Sequence, residues 1–137
     1  MGVIAKHKNK ISLYYHSDTA IGKQTRAYVE SSEKEILAKD LAEENLSGTQ
    51  WAEIANGLGK RASSLIDREH PEFIKEYGED QIVMEEHNWL QILDKHPVVV
   101  SHPILIVGDS YHEISTPSDV MKYIETDSAG IEERKKK

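Results

Sequence analysis

The sequence predicts an α/β fold: a mixed four-stranded sheet with helices on its faces. Three observations carry this. An apolar run, a helical stretch and a second strand-like run follow one another at the start, an order that sets two strands parallel. Two apolar runs near the end are joined by Gly108-Asp109, a tight-turn signal that sets two strands antiparallel. The stretch between them, residues 45–95, reads as helices.

Taken in order, Ile11-Ser12-Leu13-Tyr14-Tyr15 is β-prone and is closed by the turn-forming His16-Ser17-Asp18. Gly22 to Ser31 reads as a helix, with Thr25, Tyr28, Val29 and Ser32 near one side. Glu35 to Leu41 alternates partly, with Ile36 and Ala38 on one face, as a second strand would. Asn45 to Gly48 is a turn. Thr49 then caps a helix whose Trp51, Ile54, Ala55 and Leu58 fall at helical spacing, and Gly57-Leu58-Gly59 ends it.

Ser63 to Asp67 is a short helical turn. Pro71, suited to a first helical position, starts a helix that ends near Tyr77-Gly78. Glu85 to Lys95 is amphipathic, with Trp89, Ile92 and Leu93 inward, and His96-Pro97 stops it. Val98 to Val100 and Ile104 to Val107 flank His102-Pro103, and Tyr111 to Ile114 returns after the turn. Thr116-Pro117-Ser118-Asp119 starts a last helix, with a capping hydroxyl, a proline at the first position and an acid at the third. Val120, Met121 and Ile124 then face inward. No internal repeat and no linker is evident.

The composition suits one globular domain. Of 137 residues 38% are apolar and 30% charged, and no apolar run approaches the roughly 20 residues that span a bilayer. The basic start is followed by no signal-peptide apolar core, so the chain is expected in the cytoplasm, without a membrane contact. The absence of cysteine excludes disulfides, thiolate metal sites, iron–sulfur clusters and thiol catalysis by the chain itself. The net charge is −7. Residues 1–10 contribute +3 and residues 132–137 contribute +2, which leaves −12 for residues 11–131. A body that acidic repels nucleic acid and phosphate-like anions. The basic ends read as solvated tails.

Several constellations invite chemistry and are outweighed by simpler readings. His16-Ser17-Asp18 has triad residue types, but sequence neighbours rarely point at one another as a triad requires. Asn56-Gly57-Leu58-Gly59-Lys60-Arg61 lacks the first glycine and the hydroxyl residue of a phosphate loop and follows a helix rather than a strand. His112 with Asp109 and Glu113 could form a surface metal site, although a solvated or satisfied histidine is the default. Tyr14, Tyr15, Trp51, Trp89 and Tyr111 are core candidates, and an exposed one near the first loop would mark a partner surface. No cofactor and no metal is expected.

Four segments resemble the arsenate reductase/Spx family in register. Tyr14 to Arg26 resembles its first strand, active loop and first helix. Leu65-Ile66-Asp67-Arg68-Glu69-His70-Pro71-Glu72-Phe73 resembles its mid-chain segment ending Glu-Pro-Glu-Tyr. His96-Pro97-Val98-Val99-Val100-Ser101-His102-Pro103-Ile104-Leu105-Ile106 resembles its His-Pro-Ile-Leu-Ile-x-Arg-Pro-Ile-Val-Val run, and Ile114 to Val120 its closing Gly-Arg-Pro-Pro-Glu-x-Val. The resemblance implies a thioredoxin/glutaredoxin-like three-layer fold over residues 11–125. The helical insertion, about 45–95, would lie between the second and third strands, with a basic tail over 1–10 and a polar tail over 126–137. It also implies that Pro103 is cis and borders the active loop.

The family needs a thiolate at the N-terminus of the first helix, where the dipole and free N–H groups lower a thiol's pKa and hold an oxyanion. The matching residue is Thr19, and Gly22 stands where Spx-like members carry a second cysteine. Lys23 matches a basic position beside the loop. Of the arginines that clamp the oxyanion, the first falls at Asp67 with Arg68 adjacent, the second, before Pro103, at His102, and the third at Thr116. Aspartate for arginine at close range reverses a term of roughly a few kcal/mol.

The altered positions Thr19, Gly22, Lys23, Asp67, Arg68, His102, Pro103 and Thr116 are therefore expected to be a vestigial site. His102 could hydrogen-bond into it and titrate near neutral pH. The expected function is a non-catalytic binding or regulatory domain that engages a protein or small ligand, without direct nucleic-acid contact, as a monomer or weak dimer. The alternative is an atypical oxidoreductase that uses an external thiol from glutathione or a glutaredoxin-like partner. A dimeric or structural protein is a third reading.

Overall fold

Ile11–Tyr15 forms β1, with every residue buried, and holds a central place in the sheet. The computed structural model describes residues 11–32, 35–78 and 84–124. The tails expected over 1–10 and 126–137 lie outside the described residues. Helix α1, Ala20–Glu30, leads to β2, Ile36–Asp40. Then come α2, Gly48–Leu58, a 3₁₀ turn at Ala62–Leu65, α3, Pro71–Tyr77, and α4, Glu86–Lys95. A second 3₁₀ turn at Pro97–Val99 precedes the hairpin of β3, Ile104–Val107, and β4, Ser110–Glu113. Residues 119–124 are helical.

The sheet order is β2-β1-β3-β4. β1 and β2 are parallel, Ile11 opposite Ile36 through Tyr15 opposite Asp40. β3 runs antiparallel to β1 and to β4, with Ile104 opposite both Tyr14 and Glu113. Alternation along β1 and β3 divides the core. Tyr14, Ile104 and Ile106 pack with Trp51, Ile54, Leu65, Phe73, Trp89 and Leu93 on the side of α2, α3 and α4. Ile11, Leu13, Tyr15, Leu105 and Val107 pack with Val29, Ile114, Val120 and Ile124 on the other. The result is the three-layer α/β arrangement the sequence predicts, with the helical insertion between β2 and β3.

Local details differ from the sequence reading where a side chain found a better partner. Ser47, not Thr49, caps α2: its hydroxyl accepts from the Gln50 N–H at 3.2 Å while Gln50 Oε1 accepts from the Ser47 N–H at 2.9 Å. α1 begins at Ala20 rather than Gly22 because Thr19 caps it. On α1 the buried residues are Gly22, Thr25 and Val29, whereas Tyr28 is exposed. The 3₁₀ turn within the insertion spans Ala62–Leu65, ahead of the expected Ser63–Asp67. Gly59 ends α2 at φ 69°, the left-handed cap that glycine adopts without strain. Gly57 lies one turn earlier for another reason. A Cβ built there would stand 2.4 Å from Tyr111 Cδ1, so the absence of a side chain lets β4 lie against α2.

Candidate functional site

Strand register and loop hydrogen bonds bring the segments that carry the eight positions singled out in the sequence toward one end of the sheet. Pro103 precedes Ile104, the partner of Tyr14, so it stands at the end of β1 where the loop to Thr19 leaves. The Ile114 N–H donates to the Pro103 carbonyl at 2.9 Å, which brings the segment leading to Thr116 to the same end. The Asp67 N–H donates to Val99 O at 2.7 Å and the Ser101 N–H to Leu65 O at 2.8 Å, around the bridge between Ile66 and Val100. Asp67 and Arg68 thereby lie along the strand-like segment that enters His102. The His102–Pro103 bond is trans, contrary to the cis geometry the resemblance implied.

The atoms at these positions are engaged within the fold. Thr19 has extended backbone, φ −101° and ψ 143°, as an N-cap does. Its hydroxyl donates to His16 O at 2.8 Å and accepts from the Gly22 N–H at 3.0 Å. A Cβ at Gly22 would stand 2.2 Å from His16 O and 2.6 Å from Thr19 Oγ1, so the tight start of α1 excludes a side chain there. Lys23 is exposed. Asp67 Oδ1 accepts from the Glu69 N–H at 3.0 Å. Arg68 lays its guanidinium over the Trp89 ring, 4.5 Å from the centroid, a cation–π contact. His102 Nδ1 is 3.1 Å from Ser101 Oγ and 3.7 Å from Glu113 Oε2. Glu113 also pairs with Lys60. Thr116 is exposed and its carbonyl accepts from the Asp119 N–H at 2.9 Å.

The loop from β1 to α1 is tied to β2 as well. Asp40 Oδ1 accepts from the Ser17 and Ala42 N–H groups, each at 3.0 Å. Burial alone would raise the Asp40 pKa, but these bonds and that of the Ser17 hydroxyl hold it below the usual carboxylate value. His16, 5% exposed, has Nδ1 accepting from the Asp18 N–H at 3.2 Å. Burial lowers its pKa, against the opposing pull of Asp18 and Asp40. The geometry is that of a loop with internal bonds, not a triad.

The metal reading at the hairpin does not hold among the described residues. Successive residues of β4 point to opposite faces: His112 stacks on Tyr123, centroids 3.9 Å apart, while Glu113 meets Lys60 and His102. No group of three possible ligands converges among the described residues. Tyr14, Tyr15, Trp51 and Trp89 are buried and Tyr111 is half-buried, so none of these aromatics forms an exposed patch.

Next to this end lies a cleft of about 480 Å³, whose lining includes His16, Asp18, His70, Glu72, Lys95 and His96. None of the eight altered positions lines it. Sequence reasoning weighed His16 as a triad member and as the one base near Thr19, set His96 aside as a metal ligand with His87, and gave His70 no role of its own. A usable signal for His70 was its place before Pro71 at a helix start, where its Nδ1 accepts from the Glu72 N–H at 3.0 Å as an N-cap.

No family model matches the chain, and no curated protein matches it. Solved structures do. One assigned as an arsenate reductase in Yersinia pestis superposes with a TM-score of 0.71 at 18% identity, covering 82% of this chain and 99% of that one. The arsenate reductase from Vibrio cholerae gives 0.71 at 14%, covering 85% and 98%. An arsenate reductase-related protein from Brucella melitensis gives 0.56 at 14%, covering 90% and 98%. At these identities the likeness speaks for the fold. No helix among the described residues is long and apolar enough to cross a membrane. The chain has the thioredoxin-like fold of the arsenate reductase structures, and none of its 137 residues is a cysteine.

Proposed function

We propose that this chain is a non-catalytic binding or regulatory domain. It keeps the arsenate reductase fold and presents the altered face around Thr19, Lys23, Asp67, His102 and Pro103 to a protein or small ligand, in the cytoplasm, as a monomer or weak dimer. The observation that carries this is the hydroxyl of Thr19: both its donor and its acceptor capacity are used to cap α1. A group so engaged holds a loop in shape, and the Nδ1 of neighbouring His16 accepts from the Asp18 N–H rather than from the hydroxyl.

The neighbouring changes support the same reading. Gly22 leaves no room for a second side chain at the helix start. Arg68 is spent on Trp89, and His102 stands beside the Glu113 carboxylate instead of an incoming anion. The experiment is a pull-down from lysate at physiological salt, with a Lys23→Glu/Asp67→Arg variant as the control for the face. The expected result is a partner recovered in stoichiometric amount by the wild type and lost by the variant. Recovery of no stoichiometric partner counts against the reading.

A further inference from the structure

We propose that the cleft beside the β1–α1 loop binds a small zwitterion, an amino acid or short peptide, with the Nε2–H groups of His16 and His70 holding its carboxylate. The inference goes beyond the face described above and does not rest on the loss of the thiol, because none of the altered positions lines the cleft.

Two ring tautomers fix the chemistry. His16 Nδ1 accepts the Asp18 amide proton and His70 Nδ1 accepts that of Glu72. A neutral imidazole that accepts at Nδ1 carries its proton on Nε2. Both rings therefore offer an N–H donor and no lone pair at Nε2. That excludes metal ligation through these nitrogens and suits an acceptor oxygen. His16 is only 5% exposed and lines the cleft together with His70. Nε2–H donors on this lining can be met by an acceptor oxygen of a ligand in the cleft. Burial lowers the His16 pKa, and a charge on His70 acts in the same direction, which favours the neutral His16 ring.

The charges around the donors select the class of ligand. Lys95 is one cation, and Asp18 and Glu72 are two carboxylates, with His96 Nδ1 3.5 Å from Glu72 Oε2. A simple anion meets this excess of negative charge and the −12 of residues 11–131. A molecule with an ammonium as well as a carboxylate satisfies both signs. The volume, about 480 Å³, lies in the range of small-molecule sites and accommodates a dipeptide. The cleft also sits beyond the carboxyl ends of β1 and β2, where parallel strands of α/β sheets present their ligands.

The test is NMR of the histidine rings in the whole protein near pH 7.5, first for tautomer and then in titration with L-alanyl-L-alanine. N-acetylalanine removes the ammonium, alaninamide removes the carboxylate, and inorganic phosphate tests a bare anion. His70→Asn keeps an oxygen to cap α3 and removes the Nε2–H. The expected result is the Nε2–H form at both rings and saturable shifts of both with the dipeptide. Binding should be at least tenfold weaker for each comparison probe and for His70→Asn. The Nδ1–H form at either ring, no saturable shift, or a smaller difference in any arm overturns the proposal. These readouts are separate from the pull-down, so either inference can fail alone.

Discussion

The hydroxyl of Thr19 donates to the carbonyl oxygen of His16 across 2.8 Å, and the same carbonyl receives the Thr19 N–H at 3.1 Å. The loop is thus closed on itself before α1 begins. Replacing the cap with Thr19→Ala should lower stability by about 1 kcal/mol, the usual worth of an N-cap hydroxyl. Thr19→Ser should restore most of it. Urea denaturation of the three proteins measures both differences.

Two glycines make opposite kinds of room. A Cβ at Gly22 would meet a backbone oxygen at 2.2 Å, which cannot swing aside, so Gly22→Ala and Gly22→Cys should each cost about 1–3 kcal/mol or more. A Cβ at Gly57 would meet the Tyr111 ring. Gly57→Ala should destabilise the wild type by a similar amount. In a Tyr111→Ala background the clash is gone, and the helix preference for alanine, about 1 kcal/mol, should make Gly57→Ala neutral or stabilising. The double-mutant cycle in urea reads the change of sign.

Acid should unfold the protein in two stages. Burial lowers the pKa of His16 and of His112, so the unfolded chain binds more protons than the native one just below about 6.5. Their contribution is complete above that value and is lost as pH falls through the lower native values. The Asp40 carboxyl is also held low, so its contribution is complete above about 3.9 and is lost as pH falls through its native value. Urea midpoints between pH 8 and 3 should show both losses, and His112→Gln should shrink the first. A protein that gains stability between pH 7 and 5.5 contradicts this.

Glu113 joins two elements that are distant in sequence. Its side chain is 11% exposed and pairs with Lys60, 47% exposed, while its other oxygen faces His102. Because one partner is half in water, the pair should be worth about 1 kcal/mol or less in a Lys60→Met/Glu113→Gln cycle, and weaken with salt.

The fold was legible where local chemistry and tertiary packing agree. Gly108-Asp109 between apolar runs gave the hairpin, Pro71 the start of α3, and Trp89, Ile92 and Leu93 the buried face of α4. It was less legible where two side chains compete to cap the same helix. Ser47 and Thr49 both suit the start of α2, and the reciprocal bond with Gln50 decides for Ser47. The proline before the third strand was legible from the motif, and strand register brings this Pro103 to the end of β1. The cleft was not. His16, His70 and His96 come together only when the insertion folds back across the ends of β1 and β2, and no spacing along the chain encodes that.

The most direct test of the central claim is turnover of arsenate by the purified protein with glutathione and glutaredoxin. With no thiol in the chain and its loop hydroxyl committed as a helix cap, the rate should equal that of the mixture without protein, for wild type and Thr19→Ala alike. Arsenate reduction by the wild type that Thr19→Ala abolishes, while the variant remains folded, would contradict it.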